Sequence, residues 1–276
     1  MKHFYLVSNQ YKDEGFCLRE QAAAYLTEQG AVCTIHEEDG QRPGPDTECV
    51  ITLGGDGTLL RVVRRFSDLP LSFIGINTGT LGYLTEGDRG MLFTILDALL
   101  QDNFIREKRM MIFGRIIRGG KSLGRHRALN DVVVRSKNPM KIVNLRVSVN
   151  GQFLKEYRCD GLIASTPTGS TAYNFSAGGP IVEPTAKLFL LTPVAAHSLN
   201  SRSIVFSPTD KISVEILPPT RGNETEEAFQ VYFDGEKPES LCVGDVVEIT
   251  QASTTIHILK LSERSFVETL RIKLSD

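Results

Sequence analysis

Asp56 stands inside a run of glycines, Gly54-Gly55-Asp56-Gly57-Thr58, directly after the apolar stretch Glu48 to Leu53. Glycines that follow a buried strand let backbone N–H groups approach a phosphate with no side chain in the way. A helix opening at Thr58 would turn its positive end toward the same place. A carboxylate there would repel a phosphate. It makes sense if Asp56 accepts a proton from a hydroxyl attacking that phosphate, or helps to hold a metal ion. The plainer reading is a tight turn in which Asp56 caps the helix. The run has neither the Gly-Lys-Ser/Thr of a P-loop nor the spacing of the dinucleotide fingerprint, so neither is supported.

Three further segments carry possible binding chemistry. In Asn77-Thr78-Gly79-Thr80-Leu81-Gly82-Tyr83-Leu84 the glycines permit a tight loop, and Tyr83 offers an aromatic face to a flat base. A core aromatic after a loop would look the same. Asn130-Asp131 sets an amide, able to read base edges, beside a carboxylate, able to accept from ribose hydroxyls. Strand alternation would point the two apart, so a bend or bulge is expected if both face a ligand. The run from Cys159 to Asn174, continuing to Gly178-Gly179-Pro180, crowds hydroxyls and glycines around Tyr173. That mixture suits a polar ligand with a planar part, not a core strand. His197 reads as structural.

The elements that must position these residues alternate over the first hundred positions. Strands are expected at His3 to Val7, Ala31 to Ile35, Glu48 to Leu53 and Leu71 to Ile76. Helices are expected from Gly15 to Gln29, closed by Gly30, from Thr58 to Phe66, and across Met91 to Leu100. Such alternation implies a parallel sheet covered on both sides. After about Gln101 the texture becomes β-rich. Strands read at Arg109 to Arg118, Arg127 to Arg135, Lys141 to Val149 and Gln152 to Arg158, with Gly119-Gly120 and Asn150-Gly151 as hairpin turns. More follow at Ser203 to Phe206, Lys211 to Ile216, Val246 to Thr250 and Thr255 to Leu261, while the charged Arg221 to Glu227 reads as an exposed turn. Phe266 to Leu274 is a short closing helix. The expected division is an α/β, Rossmann-like domain over residues 1–103, completed by 262–276, and a mostly β domain over 104–261.

Composition narrows the class. The 276 residues are ample for a buried core, and 41% hydrophobic with 23% charged residues is ordinary for a soluble protein. A net charge of −2 argues against nucleic-acid or membrane-surface binding. Cys17, Cys33, Cys49, Cys159 and Cys242 are scattered and form no C-x-x-C pair, as in a reducing compartment. No apolar run reaches the length a bilayer demands, and the start of the chain has no signal-peptide core, so a cytoplasmic protein is expected.

Gly-Gly-Asp-Gly-Thr after a strand occurs in a kinase superfamily of NAD kinases, diacylglycerol and sphingosine kinases and, more distantly, phosphofructokinases. The turn alone does not choose among them; the other segments do. Asn77 to Leu84 resembles the Asn-x-Gly-x-Leu-Gly-Phe/Tyr-Leu of NAD kinases, and Asn130-Asp131 resembles their Asn-Glu/Asp pair. Asp160 to Tyr173 resembles their Asp-Gly-x-x-x-Ser/Thr-Thr-Pro-Thr-Gly-Ser-Thr-Ala-Tyr segment. Thr192 to Val205 is similar to a Thr-Pro-x-x-x-His-Ser-Leu-x-x-Arg-x-Ile-Val stretch, with Ala196 and Ser203 where members often carry Pro. These matches run from Cys49 to Phe206, more than half the chain.

The resemblance implies a phosphofructokinase-like N-terminal domain and transfer of the γ-phosphoryl of ATP, or of polyphosphate, to the 2′-hydroxyl of the adenosine ribose of NAD. Asp56 would accept the proton, a task a weak base can perform in a loose transition state. Phosphate would lie on Gly54, Gly55, Gly57 and Thr58. NAD would be held by Asp56, Gly57, Arg61, Tyr83, Asn130, Asp131, Arg158, Asp160, Thr168, Thr171, Ala172, Tyr173, Asn174, Phe175, Ser176 and Ala195. Mg²⁺ or another divalent cation would be bound mainly through ATP. The family's members are dimers or tetramers, so a homo-oligomer is implied. Asp234-Gly235 is similar to a late turn of the family. Two rivals remain: a lipid kinase, whose acyl pocket the polar Thr168 to Tyr173 does not suit, and an NAD(P)-binding regulatory module that has lost catalysis.

Overall fold

The structure is a computed structural model and describes residues 1–37, 40–79, 82–138, 140–198, 200–219, 228–261 and 265–275. Thr80 and Leu81 of the glycine loop, Leu199 and the expected turn Arg221 to Glu227 lie outside the described residues. Two compact units divide the chain: Met1–Arg109 with Thr255–Asp276, and Met110–Thr254.

In the first unit, strands β1 (His3–Ser8), β2 (Val32–Ile35), β3 (Cys49–Gly54) and β4 (Ser72–Asn77) alternate with helices α1 (Cys17–Glu28) and α2 (Asp56–Phe66); α3 (Leu92–Leu100) follows. The strand order is β2-β1-β3-β4, and every pairing is parallel. All six residues of β3 and of β4 are buried, the pattern of strands covered on both faces. Leu6, Ile51 and Ile74 meet Leu26 of α1 and Leu96 of α3 in one core, while α2 buries Leu59, Val62, Val63 and Phe66. The first helix begins at Cys17 and not at Gly15. Gly15 (φ 64°) and Phe16 (φ 56°) are left-handed, which breaks the α pattern, and the Asp13 carboxylate instead accepts from Leu18 N at 2.9 Å. α2 begins at Asp56, two residues before the expected Thr58, because Gly55 is its N-cap and accepts from the Leu59 N–H.

The second unit draws on β5 (Ile105–Arg118), β6 (Lys121–Ala128), β7 (Asp131–Ser136), β8 (Val143–Val149), β9 (Gln152–Cys159), β10 (Gly161–Ser165), the short helix α4 (Tyr173–Ser176), β11 (Phe189–Val194), β12 (Ile204–Phe206), β13 (Ile212–Ile216), β14 (Phe229–Phe233), β15 (Glu239–Leu241) and β16 (Val246–Lys260). Helix α5 (Phe266–Lys273) then lies in the first unit, where β16 pairs in parallel with β4 through His257 and Ile258. One antiparallel sheet runs β12-β11-β10-β7-β14-β15, and β13 pairs with both β8 and β16. Alternation on β13 and β14 turns Ile212, Val214, Phe229 and Val231 into the core.

Several strands differ from expectation. Arg127 to Arg135 is two strands, β6 and β7, separated by a bend at Leu129-Asn130. β10 and β11 are buried almost throughout, so they carry no alternation to read. β14 and β15 were also not anticipated; β15 has only three residues. β16 runs unbroken from Val246 to Lys260 where two strands were expected.

Candidate active site

The glycine turn joins β3 to α2, and Asp56 is the first residue of that helix. Its carboxylate is held from one side. Oδ2 accepts from Tyr83 N at 2.7 Å; Oδ1 accepts from Leu84 N at 3.3 Å, Thr85 N at 3.1 Å and Thr85 Oγ1 at 3.1 Å. A carboxylate offers about four lone-pair positions. Oδ1 is therefore saturated, whereas Oδ2 takes one bond among the described residues and retains capacity for a proton. Gly82 makes this approach possible: a Cβ there would collide with Asp56 Oδ1 and Cγ. The loop's far end is fixed by Glu86, whose carboxylate accepts from Lys260 Nζ at 2.5 Å and from Leu261 N at 3.3 Å.

Gly82→Ala is expected to lower kcat by about 100-fold through displacement of the carboxylate, with a smaller change in KM. Steady-state kinetics checks this; a kcat within a factor of about two of wild type would show that the carboxylate does not need its place.

In the second unit the bend before β7 sets Asn130 and Asp131 at a corner, and Asp234 makes that corner. Asp234 Oδ2 accepts from Leu129 N at 2.7 Å; Oδ1 accepts from Asn130 N at 2.7 Å and Asp131 N at 3.1 Å. Asp234 itself is left-handed (φ 52°), and its N–H returns a bond to Asp131 O at 3.0 Å. Asp234-Gly235, noted in the sequence only as a late turn, is thus the clamp of the Asn-Asp pair. Asp234→Ala is expected to lower stability by about 3 kcal/mol or more, since three backbone donors lose a charged acceptor. A urea midpoint indistinguishable from wild type would contradict the clamp.

A pocket of about 370 Å³ opens at this corner, lined by Asn130, Asp131, Val133, Arg135, Ala172, Tyr173, Tyr232, Asp234 and Gly235. That volume suits a small-molecule ligand. Asn130 Oδ1 is buried with no hydrogen-bond partner among the described residues, so it calls for an N–H donor. Asp131 is buried, and burial first and the Asp234 charge second push its carboxyl from 3.8 to about 7. Arg135 and Tyr232 were not singled out in the sequence. The signal was available: Asp131, Val133 and Arg135 share one face of β7, and Tyr232 lies opposite Val133.

The hydroxyl-rich loop after β10 is folded largely onto this corner. Thr166 Oγ1 donates to Leu129 O at 2.6 Å, Ser165 Oγ reaches Asn130 O at 3.3 Å, and Ser170 Oγ donates to Val182 O at 3.1 Å. A Cβ on Gly169 would strike Asn130 O and lie 2.6 Å from Asn130 C, so this glycine admits the loop to the corner. Much of the hydroxyl content that reads as ligand chemistry is therefore structural. Asn174 is of the same kind. It is fully buried, its Nδ2 donates to Ser170 O and Pro180 O, and its Oδ1 accepts from Thr192 Oγ1 at 2.7 Å.

The remaining candidates are dispersed. Tyr173, Phe175 and Ser176 are exposed on α4, Thr168 is buried, and Thr171 donates to Thr168 O. Arg158 is exposed, and its carbonyl accepts from His197 N at 2.9 Å. Asp160 N donates to Val194 O at 2.9 Å; Ala195 is exposed and left-handed (φ 45°). None of Arg158, Asp160, Thr168, Thr171 and Ala195 lines the pocket at Asn130. In the first unit Arg61 is exposed on α2, Gly57 is exposed, and Thr58 is buried. No described helix is long and apolar enough to cross a membrane.

A family model described as the ATP-NAD kinase N-terminal domain matches residues 5–104, and one described as the ATP-NAD kinase C-terminal domain matches residues 129–261. The NAD kinase of Agathobacter rectalis is 41% identical over 286 residues, covering 100% of this chain and 99% of that protein. That of Lachnospira eligens is 40% identical, covering 99% and 100%. An NAD kinase from Archaeoglobus fulgidus, solved in complex with ATP, superposes with a TM-score of 0.75 at 26% identity over 98% of both chains. Yeast NADH kinase complexed with NADH shares the fold, with a TM-score of 0.89 at 22% identity over 100% of this chain and 88% of that one. The class is that of an α/β unit joined to a β-rich unit in a phosphoryl-transferring enzyme. The chain belongs to the ATP-NAD kinase family.

Proposed function

We propose that this chain transfers the γ-phosphoryl of ATP to the 2′-hydroxyl of the adenosine ribose of NAD, giving NADP and ADP. Asp56 accepts the hydroxyl proton on Oδ2 as the new O–P bond forms and the bond to the β-phosphate oxygen breaks. Gly54, Gly55, Gly57 and Thr58 receive phosphate, and Arg61 adds positive charge one turn along. Asn130 and Asp131 hold the dinucleotide, with Tyr83, Arg158, Asp160, Thr168, Thr171, Ala172, Tyr173, Phe175, Ser176 and Ala195 as further contacts. Asn174 supports the loop that carries them. The observation that carries the reading is the buried Asn130 Oδ1 on the wall of the pocket, which has no partner among the described residues: an amino group on a base supplies the donor it lacks.

A divalent cation, Mg²⁺ foremost, fits as part of the nucleotide. The phosphates of ATP would supply most of its ligands, as hard oxygen donors do for Mg²⁺. Bound there it neutralises phosphate charge. We place the protein in the cytoplasm, a reading supported by five scattered cysteines that form no disulfide and no C-x-x-C pair. A homodimer or homotetramer is proposed as well, supported by the edge strand β9, which exposes Phe153 and Leu154.

The test offers ATP labelled in its γ-phosphoryl to the purified protein with NAD and diacylglycerol together. Label is expected in NADP. Label in the lipid, or in neither acceptor, overturns the reading.

A further inference from the structure

The chain leaves β1 at Ser8 and enters a turn that is tied down on every side. Asn9 N donates to Leu53 O at 3.0 Å, Asn9 Nδ2 donates to Thr58 Oγ1 at 3.2 Å, and Asn9 O accepts from Lys12 N at 2.8 Å and from Asp13 N at 2.9 Å. The next residue, Asp13, is buried and accepts from Ser8 Oγ at 2.6 Å as well as from the start of α1. The backbone around Lys12 is thus fixed to the end of β3 and to the first turn of α2, while its side chain is exposed.

The two glycine turns show where that side chain goes. A Cβ on Gly55 would come within 2.8 Å of Lys12 Nζ, and one on Gly79 would lie 4.0 Å from it. The backbone of Gly55 is extended (φ −103°, ψ −175°), which any residue adopts. A side chain at position 55 would meet only the movable end of Lys12, so the contact marks where the ammonium lies. Among the described residues the Lys12 ammonium has no carboxylate partner, unlike Lys260 on Glu86 or Lys211 on Glu248.

We propose that Lys12 binds the phosphoryl donor, its ammonium holding the oligophosphate chain delivered to the glycine turn. The inference rests on the reading of Gly54 to Thr58 as the phosphate turn. An ammonium is a compact charge suited to non-bridging phosphate oxygens. It offsets the negative charge that Asp56 brings to the same turn. ATP and inorganic polyphosphate share this chemistry, so the inference covers either donor.

Lys12→Met is expected to raise KM for ATP by about tenfold or more, with KM for NAD and the unfolding midpoint unchanged, and Lys12→Arg to restore most of the loss. Polyphosphate as donor, where it is used, should suffer the same loss. An active enzyme in which Lys12→Met leaves KM for ATP unchanged, or raises KM for NAD instead, overturns the inference. A wild type that makes no NADP would sink the proposed function itself, a separate outcome.

Discussion

Asp56→Asn is expected to lower kcat for NADP formation by about a thousandfold while NAD still binds. Two consequences of the substitution act together. The amide cannot take the proton that the attacking hydroxyl releases. It also sets an NH2 group against a site built entirely of donors, the N–H groups of Tyr83, Leu84 and Thr85 and the Thr85 hydroxyl. Asp56→Ala removes the base and every acceptor at once, whereas Asp56→Asn keeps one carbonyl oxygen for the Oδ1 donors. Both variants should lose turnover, and both should loosen the loop from Tyr83 to Thr85, Asp56→Ala the more, seen as faster amide exchange there. Turnover of either variant within about tenfold of wild type would remove Asp56 from the chemistry.

The second large effect concerns Asp131 and pH. Its folded carboxyl is raised from 3.8 to about 7. Between those values the native state holds a proton that the unfolded chain has released, so unfolding free energy falls as pH rises through the window. The penalty is complete above about 7. Asp131→Asn removes it. The variant should therefore be more stable than wild type at pH 8, by about 2–4 kcal/mol at most, and the two should converge near pH 4. Binding should show the opposite preference. A carboxylate that accepts from a ribose hydroxyl must be ionised, so KM for NAD should rise as pH falls below about 7, and that step should vanish in Asp131→Asn. Denaturant midpoints and KM measured across the pH range test both halves. A flat stability difference, or a KM step that survives in Asp131→Asn, would place the titrating group elsewhere.

The positions that need a missing side chain were the most legible in the sequence. A Cβ on Gly54 would strike Thr58 Oγ1 and one on Gly82 the Asp56 carboxylate, and the parallel strands β1, β3 and β4 announced themselves as short apolar runs ending in turns. The bend at Asn130 was legible only on the condition that both side chains face a ligand, since Arg127 to Arg135 otherwise reads as one strand. What makes the bend was not legible. Asp234 is more than a hundred residues away from Leu129 in the chain, and a carboxylate accepting three backbone amides leaves no local pattern. Arg135 and Tyr232 were recoverable by counting along β7 and across to β14, once those strands were known. Some of the hydroxyls after β10 serve the fold. Ser165, Thr166 and Ser170 are polar residues whose partners are backbone carbonyls, and composition cannot separate these from ligand donors. Lys12 escaped because a single lysine in a polar loop looks like any solvated residue until the glycines it covers are placed beside it.

The central claim is that this chain makes NADP by phosphorylating the adenosine ribose of NAD. Phosphorus NMR of the purified protein incubated with ATP, Mg²⁺ and NAD tests it most directly. The account predicts a new phosphomonoester signal belonging to the 2′-position of that ribose, growing in step with ADP. A spectrum in which NAD stays unchanged, or in which the phosphate lands elsewhere than the 2′-oxygen, would contradict it.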